Sequence, residues 1–363
     1  MEEFLSEMSE EEIEFSCKSL ARIISRSKRL VVLTGAGISV SAGIPDFRSR
    51  NGMWKRYEPK VYASYENFVN KPEMFWKMCN ELRNCTEGKK PTKAHFALRK
   101  LEEIGKLEEI ITQNVDNLHQ LAGSRKVIEL HGTGKICQCI KCGYQGNADV
   151  VLPKGLIPWI DIPRCPKCGG LIKLDVVLFG EQLEKEKFEK AFEVASSSDV
   201  FLVIGSSLEV MPANALPRKA KMNSATVAYI NKTTTRFDNY ADYVIRGESD
   251  YLIPKIVEYV IEFMELGCGE KVIDTLSFPI QFIQNPMETI TQVVATIVTW
   301  IGPKVQEEEV QNCLVDSSEI IEVVTTKKQY TKTTEEKEEE NNAADKIMNE
   351  IKNSIKKREN DNN

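Results

Sequence analysis

The sequence lacks an apolar run long enough to cross a membrane, and it lacks an excess of positive charge. The longest apolar-rich stretch, residues 287–301, is too short and too rich in threonine to span a bilayer, which takes about 20 apolar residues. A formal net charge of −6 gives no general attraction to nucleic acid or to anionic lipid. The first residues are acidic and do not follow the basic and apolar pattern of a secretory leader. We therefore expect an intracellular protein, cytoplasmic or nuclear, that is not secreted and binds neither membranes nor nucleic acid directly.

The chain is also poor in histidine, and its cysteines do not indicate disulfides. Only His95, His119 and His131 could supply an imidazole base near neutral pH. His95 and His119 fall in predicted helices, where packing or capping is the simpler interpretation. His131 ends a predicted strand and precedes a glycine, so it can face a cleft, although a lone histidine is more often structural. Ten cysteines in a long chain without a secretory leader favour free thiols and metal ligands over a disulfide framework.

One dinucleotide-binding feature is present and another is missing. Gly35 and Gly37 follow the apolar run 30–33, as expected where a buried strand opens into a loop whose amides approach a phosphate. The third glycine of the usual fingerprint is missing, because Val40 occupies its place. No acidic residue about twenty positions later suits a ribose, so an ordinary hydride-transferring dehydrogenase is not favoured. Residues 46–48, Asp-Phe-Arg, add a carboxylate, an aromatic ring and a cation just beyond the loop.

Polar side chains follow several predicted strands at the point where each strand ends. Residues 112–119 follow the strand 109–112 and bring two amides and a carboxylate together, although a helix cap would explain the same residues. Other strand ends carry His131, the glycine and serines 205–207, and Asn231. The carboxyl ends of parallel strands meet at one edge of an open α/β sheet, where ligands bind, so we expect these residues to share a site.

Four of the cysteines form two Cys-x-x-Cys pairs separated by 22 residues. Four thiolates at this spacing suit tetrahedral binding of one Zn²⁺, and such a closed site is structural because it leaves no position for water. Cys137 is a nearby fifth thiol that could compete for the metal, but it does not match the paired pattern. Gly143 and Gly169 follow the pairs, where a tight turn would direct backbone amides at sulfur. The predicted metal ligands are Cys139, Cys142, Cys165 and Cys168.

Short apolar strands alternate with amphipathic helices along much of the chain. The predicted strands are residues 30–34, 109–112, 127–130, 174–179, 200–204 and 226–230. The predicted helices include 9–27, with a capping box at Ser9 and Glu12, as well as 95–104 and 184–195. This alternation predicts an α/β protein with a Rossmann-like parallel sheet covered by helices on both faces.

Two insertions predict a smaller lobe that contains a zinc ribbon and helices. They comprise the aromatic-rich residues 48–91, with a helix starting near Pro72, and the cysteine-rich residues 134–171. The larger lobe is then predicted over residues 1–47, 92–133 and 172–262, so that one catalytic domain covers 1–262. Residues 263–363 form a predicted extension, with a helical stretch at 287–301 and disorder from about 325, where the composition is strongly polar.

Together these motifs resemble the sirtuin family of NAD-dependent protein lysine deacylases. The likeness rests on the glycine loop with residues 46–48, on residues 113–116, on His131-Gly132 and on the cysteine pairs, and it covers roughly residues 27–259. It implies NAD as cofactor, one structural Zn²⁺, and transfer of acetyl from acetyl-lysine to ADP-ribose with release of nicotinamide. The implied catalytic residues are His131, which takes a proton from a ribose hydroxyl, Asn114 and Asp116. The implied NAD contacts are Gly35, Ala36, Gly37, Ile44, Asp46, Phe47, Arg48, Gln113, Asn114, Asp116, Gly205, Ser206, Ser207, Asn231, Lys232 and Ser249.

The resemblance further implies acetyl-lysine protein substrates, with histones as one candidate class, bound as an extended strand between two edges. Lys173-Leu174 stands near one edge where the family often has Arg-Pro. Members that remove acidic acyl groups carry a Tyr-x-x-Arg pair, and Cys79 and Leu82 occupy those positions here. A buried succinyl carboxylate would then lack a partner, so we expect neutral acyl groups. The implied substrate contacts are Phe47, Val177, Phe179, Gly180, Glu181, Leu208 and Val210.

Two other functions remain open at the level of the sequence. Mono-ADP-ribosyl transfer would use the same cofactor cleft. A non-catalytic zinc-ribbon interaction protein is compatible with the cysteine pairs, but mere binding needs no general base, and Asp46, Asn114, Asp116 and His131 occur together. The sequence does not indicate an oligomeric state.

Overall fold

The computed structural model describes residues 8–152 and 162–265, which belong to one compact unit, Met1–Leu266. The strands in this part of the chain are β1 (Leu30–Thr34), β2 (Leu107–Thr112), β3 (Val127–Glu129), β4 (Gly132–Cys139), β5 (Gln145–Asn147), β6 (Ile172–Val176), β7 (Val200–Ile204), β8 (Thr226–Asn231) and β9 (Tyr243–Arg246). The helices are α1 (Glu10–Arg26), α2 (Pro59–Tyr62), α3 (Tyr65–Asn70), α4 (Pro72–Thr86), α5 (Lys93–Glu103), α6 (Leu118–Leu121), α7 (Ala148–Val151), α8 (Lys185–Ser196), α9 (Ala215–Met222) and α10 (Ser249–Glu265).

A six-stranded sheet in the order β3-β2-β1-β7-β8-β9 forms the larger lobe, and all its neighbouring strands are parallel. Alternate residues of β1 enter different cores, with Leu30 and Val32 on one face and Val31 and Leu33 on the other. Because both faces are covered, the strand is apolar throughout. The predicted Rossmann-like α/β fold is confirmed.

The smaller lobe combines a three-stranded antiparallel sheet, β5-β4-β6, with helices α2 to α4. The two parts share one apolar core, in which Phe68, Phe75 and Trp76 of the helices meet Cys137 and Ile172 of the strands. The predicted lobe with a ribbon and helices is therefore confirmed, but its sheet also includes β6, which lies beyond the predicted bound at residue 171.

One predicted strand of the parallel sheet is wrong. The segment predicted at 174–179 forms β6 at Ile172–Val176, and it pairs antiparallel with β4, where Leu174 lies opposite Cys137. The strand ends at Val176, and beyond it the Leu178 amide bonds to the Glu181 carboxylate and the Phe179 amide to the Ala63 carbonyl instead of β4. Strands β4, β5 and β9 were not predicted.

Several element boundaries follow the sequence signals closely. The structure has β1 and β7 at the predicted residues, and α1 begins with the predicted capping box, in which the Glu12 amide donates to Ser9 Oγ at 3.2 Å and the Ser9 amide to Glu12 Oε2 at 2.9 Å. Predicted helices 95–104 and 184–195 correspond to α5 and α8. The predicted features at 287–301 and beyond 325 lie outside the described residues.

The strand order places a ligand site between β1 and β7. From β1 the chain adds β2 and β3 on one side, and it returns to add β7, β8 and β9 on the other. The loops that leave β1 and β7 therefore run in opposite directions and open a crevice at the carboxyl edge of the sheet.

Candidate active site

A cavity of about 1350 Å³ lies at the carboxyl ends of the central strands. Every residue predicted to contact NAD lines it, from the loop after β1 to Asn231 at the end of β8 and Ser249 at the start of α10. Residues that are distant in the sequence thus meet at one site, because they lie at the carboxyl ends of parallel strands or in the loops that leave those strands.

Glycines let the loops after β1 and β7 touch through their backbones. A Cβ on Gly35 would lie 2.7 Å from the carbonyl oxygen of Gly205, and one on Gly37 would lie 2.6 Å from Gly205 Cα. The Gly37 amide donates to the Gly205 carbonyl at 2.8 Å. Because any side chain would push the loops apart, glycine is needed at both positions. The contact leaves a backbone-lined cradle of the kind that accepts phosphate groups.

A hydroxyl joins the two polar residues after β2. Asn114 Nδ2 donates to the Gly35 carbonyl at 3.1 Å and to Ser39 Oγ at 3.3 Å, while Ser39 Oγ donates to Asp116 Oδ2 at 2.6 Å. Burial raises the pKa of Asp116, and hydrogen bonds from Ser39 and Leu118 oppose that shift. Ser39 was not among the predicted contacts, although a hydroxyl two residues after the second glycine is a usable signal.

His131 lines the cavity between β3 and β4, with one ring nitrogen held by the backbone. Its Nδ1 is 3.2 Å from the carbonyl oxygen of Gln113. A carbonyl can only accept, so Nδ1 carries the proton and Nε2 carries the lone pair. Burial, with a smaller effect from the Arg48 charge, lowers the pKa of His131 against the opposing Gln113 bond. The imidazole is therefore neutral at pH 7 and can accept a proton at Nε2.

The segment after the glycine loop is folded back on itself by Asp46. Its Oδ1 accepts the amides of Arg48 at 3.0 Å and Ser49 at 2.8 Å. The Phe47 ring packs on Trp54 with centroids 4.8 Å apart, and both rings line the cavity. Trp54 belongs to the aromatic segment recognised in the sequence but was not among the predicted contacts.

The far end of the cavity is formed after β7 and β8. Gln113 Nε2 donates to Ser206 Oγ at 2.8 Å, which links the loops after β2 and β7. Asn231 Nδ2 donates to the Thr233 carbonyl at 2.8 Å, so its Oδ1 remains an acceptor. Lys232 forms an ion pair with Glu248, and both residues line the cavity.

The predicted substrate contacts line the cavity, with one exception. The residues among them that line it are Phe47, Val177, Phe179, Gly180, Glu181 and Val210. Leu208 does not line the cavity: its side chain is 1% exposed and packs in the core of the larger lobe. Its side chain serves packing, and the predicted contact of its backbone with a substrate strand stays a prediction.

The other two histidines are structural, as predicted. His95 completes a capping box with Thr92 at the start of α5, and His119 Nε2 lies 2.9 Å from Thr34 Oγ1 in the interior. Burial lowers the pKa of His95 to about 4 and also lowers the pKa of His119. Neither ring lines the cavity.

The four paired cysteines converge at the far end of the smaller lobe. Their sulfur atoms all lie within 4.8 Å of one another, and the Cys139–Cys168 and Cys142–Cys165 sulfurs are 3.6 Å apart. Tetrahedral zinc with bonds of about 2.3 Å needs sulfurs about 3.8 Å apart, so the cluster fits Zn²⁺. Amides of residues 141 and 167, and not the glycines, donate to sulfur at 3.4 Å.

Cys137 lies outside this cluster. Its thiol is buried and donates to the Gly146 carbonyl at 3.4 Å, and burial raises its pKa.

In the part of the chain that the structure describes, no helix is long and apolar enough to cross a membrane.

Comparison with known proteins gives a consistent result. Residues 35–212 match the model of the Sir2 family. NAD-dependent protein deacetylase 1 of Pyrobaculum aerophilum is 45% identical over 242 residues, which cover 66% of this chain and 92% of the relative. A Sir2 homologue in complex with NAD is 37% identical, with a TM-score of 0.63 and coverage of 68% and 94%. A Sir2 variant with a deacetylated p53 peptide and 3′-O-acetyl ADP-ribose is 36% identical, with a TM-score of 0.62 and coverage of 69% and 98%.

Proposed function

The chain belongs to the Sir2 family, and we propose that its cleft removes acetyl groups from protein lysines by the residues described above. The enzyme is an NAD-dependent protein deacetylase that acts on protein substrates. The observation that supports the proposed site most directly is the placement of a neutral His131, protonated at Nδ1, in the same cavity as the glycine cradle and Asn114.

The residues around the cavity suit NAD. The cradle at Gly35, Gly37 and Gly205 would hold the pyrophosphate, because no side chain keeps a ligand away from the backbone there; the amides of these three glycines already donate to carbonyls, so the donors to phosphate would come from neighbouring residues of the same loops. Asn231 and Ser249 would hold the adenosine end, and Ile44, Asp46, Asn114 and Asp116 the nicotinamide end. When bound, NAD would supply a ribose carbon that exchanges nicotinamide for the acetyl-lysine oxygen and a ribose hydroxyl that takes the acetyl group; one water is consumed, and the products are nicotinamide, O-acetyl-ADP-ribose and free lysine.

Each polar residue near that end has a proposed task. His131 Nε2 would accept the proton of a ribose hydroxyl, since its Nδ1 is already held by the Gln113 carbonyl. Asn114 is fixed by its bond to Gly35, and Ser39 fixes Asp116, so both can orient polar groups without rearranging. Phe47, backed by Trp54, would keep water away from the reacting carbon.

The zinc site has a structural role in this proposal. The four thiolates leave no position for water, so the metal cannot activate a nucleophile. Its ligands lie at the end of β4 that is distant from His131, and they stabilise the lobe that forms one wall of the cleft.

The test is NAD-dependent release of nicotinamide from purified protein with an acetyl-lysine peptide panel that includes histone tails. His131→Ala is expected to lower kcat by about 10²- to 10⁴-fold, the range for loss of a general base. Its folding and zinc content should match those of the parent protein. His95→Asn, which alters a buried histidine outside the cavity, is the comparison variant and should retain the reaction.

Mass spectrometry of the products distinguishes the possible outcomes. O-acetyl-ADP-ribose with free lysine supports deacetylation, whereas an ADP-ribosylated protein without deacetylation would contradict it. Activity of His131→Ala equal to that of the parent would reject the assigned base.

A further inference from the structure

Lys173 is a buried cation next to the cavity that the proposed reaction does not use. It lies on β6, its side chain is 6% exposed, and it is not among the residues that line the cavity. Lysine is almost never this buried unless its ammonium group is paired.

All three N–H donors of the Lys173 ammonium have acceptors. Nζ lies 3.2 Å from Glu181 Oε2 and donates to the carbonyl oxygens of Val176 at 2.7 Å and Leu174 at 3.4 Å. The same Glu181 oxygen accepts the Leu178 amide at 2.8 Å. Lys173 therefore ties the end of β6 to the segment that follows it, and Glu181 closes that segment into a turn.

The closed segment, residues 177–181, forms the wall on which the substrate peptide would lie. Its Val177 amide donates to the His131 carbonyl at 2.9 Å. On its other side, the Phe179 amide donates to the Ala63 carbonyl at 2.8 Å, and the Phe179 carbonyl accepts the Tyr65 amide at 3.0 Å. A shift of this segment would therefore alter the placement of a bound peptide relative to the general base.

We propose that Lys173 is a positioning residue, which acts through Glu181 to fix the backbone of residues 177–181 against His131. This inference rests on the proposed function. Without the ammonium group, the partly buried Glu181 carboxylate loses its counter-charge and can turn to solvent, which releases the Leu178 amide. The peptide would then meet a wall that must become ordered on binding.

The first experiment compares Lys173→Met with the parent in the full-length, zinc-loaded protein. We expect the KM for an acetyl-lysine peptide to rise about tenfold, while the KM for NAD changes by less than about twofold. Hydrogen exchange of the Leu178 and Val177 amides in the absence of substrate should become faster. Lys173→Arg should keep the peptide KM and the amide exchange close to those of the parent protein, because guanidinium supplies the same charge and enough donors.

The control removes a second lysine–carboxylate contact away from the cavity. Lys190 Nζ lies 3.0 Å from Glu109 Oε1, and neither residue lines the cavity. Lys190→Met should leave the peptide KM and the exchange of residues 177–181 unchanged.

The outcomes separate this inference from the proposed function. The role of Lys173 would be rejected if Lys173→Met left both the amide exchange and the peptide KM unchanged. It would also be rejected if the KM for the peptide and the KM for NAD rose equally and the protein became less stable. If Lys173→Met does not fold, Lys173→Gln gives the same test, because it keeps a donor for the carbonyls of Leu174 and Val176 but removes the charge that holds Glu181. A parent protein inactive on all acylated peptides would reject the function, and the exchange measurement would still decide whether Lys173 holds the segment.

Discussion

At the scale of single residues, the chemistry of the cleft depends on contacts made behind the reactive side chains. The Gln113 carbonyl selects the tautomer of His131, and the Ser39 hydroxyl bridges Asn114 and Asp116. These partners hold the side chains in place before a ligand arrives, so little reorganisation is needed during the reaction.

The acidic limb of the kcat/KM profile is expected to lie below pH 6.5. A base must be neutral to accept a proton, and burial with the Arg48 charge lowers the pKa of His131 from 6.5. The imidazole therefore stays neutral as the pH falls to 6.5, and activity is lost only on further acidification. Arg48→Gln removes a repelling charge and should move the limb upward.

The measurement is kcat/KM of acetyl-peptide cleavage between pH 5 and 8 in a buffer of constant ionic strength. Lys185→Gln removes a different cation of the cavity, whose charge is not among those acting on His131, and should leave the limb in place. A parent limb centred above pH 7 would contradict the assignment.

The acyl group removed is expected to be neutral. Cys79 and Leu82 lie on helix α4 and line the cavity beside Phe75 and Met78 of the same helix. Among the described lining residues, the cations are Arg48, Lys185 and Lys232, and none of them lies on α4. A succinyl carboxylate placed against the apolar side chains would be unpaired, which costs about 1–3 kcal/mol or more.

Competition between acetyl and succinyl peptides measures this preference. We expect acetyl to be favoured by at least about tenfold. Leu82→Arg should raise the succinyl-to-acetyl ratio of kcat/KM, whereas Leu82→Gln, which is polar but uncharged, should not. A parent protein that removes succinyl faster than acetyl would refute the inference.

At the scale of elements, β4 connects the chemistry to the zinc site. His131 immediately precedes the strand, and Cys139 is its last residue. The core of the smaller lobe includes Cys139 and Cys165 together with residues of α4. Loss of the metal should therefore loosen the lobe and the strand that begins beside the base.

Removal of zinc is expected to abolish most of the activity, although no step of the reaction uses the metal. Incubation with a chelator should lower kcat/KM more than about tenfold and reduce the melting temperature, because structural zinc contributes directly to folding. Cys142→Ser should have the same effect, and Cys85→Ser, which alters a free thiol outside the cluster, should have none. Full activity of metal-free protein would show that the lobe holds its shape by packing alone.

The elements also show how far the sequence could predict the structure. Buried strands such as β1 and β7 were located from their continuous apolar runs, and the polar residues at their ends were brought together by the parallel topology. Strand β6 instead alternates apolar residues with Lys173 and Asp175, which is the pattern of an antiparallel strand, and its partner is β4. Ser39 and Lys173 act through contacts made only in the folded chain, and periodicity does not reveal these.

At the scale of the whole molecule, α10 closes the described unit. It buries apolar residues against the sheet and α1, and its Lys255 and Tyr259 both contact Glu14 of α1. Its buried apolar residues are Leu252, Ile253, Ile256, Val257 and Val260. The predicted domain limit near residue 262 falls within the last turn of this helix.

A protein ending at Leu266 is therefore expected to retain the fold and the reaction. Burial of each Val, Leu or Ile side chain contributes about 1.5–3 kcal/mol to the free energy of folding. The apolar face of α10 therefore contributes as much as the whole free energy of unfolding of a typical domain, about 5–15 kcal/mol. A chain ending at Gly247 should fail to fold, whereas one ending at Leu266 should keep kcat/KM within about twofold of the full chain if residues 267–363 take no part in the reaction. The measurement is kcat/KM on the same acetyl-peptide panel, with melting temperature and zinc content determined for each protein. A rise of more than about tenfold on truncation would instead show that the extension inhibits the cleft, and an equal fall would show that it helps to bind the peptide.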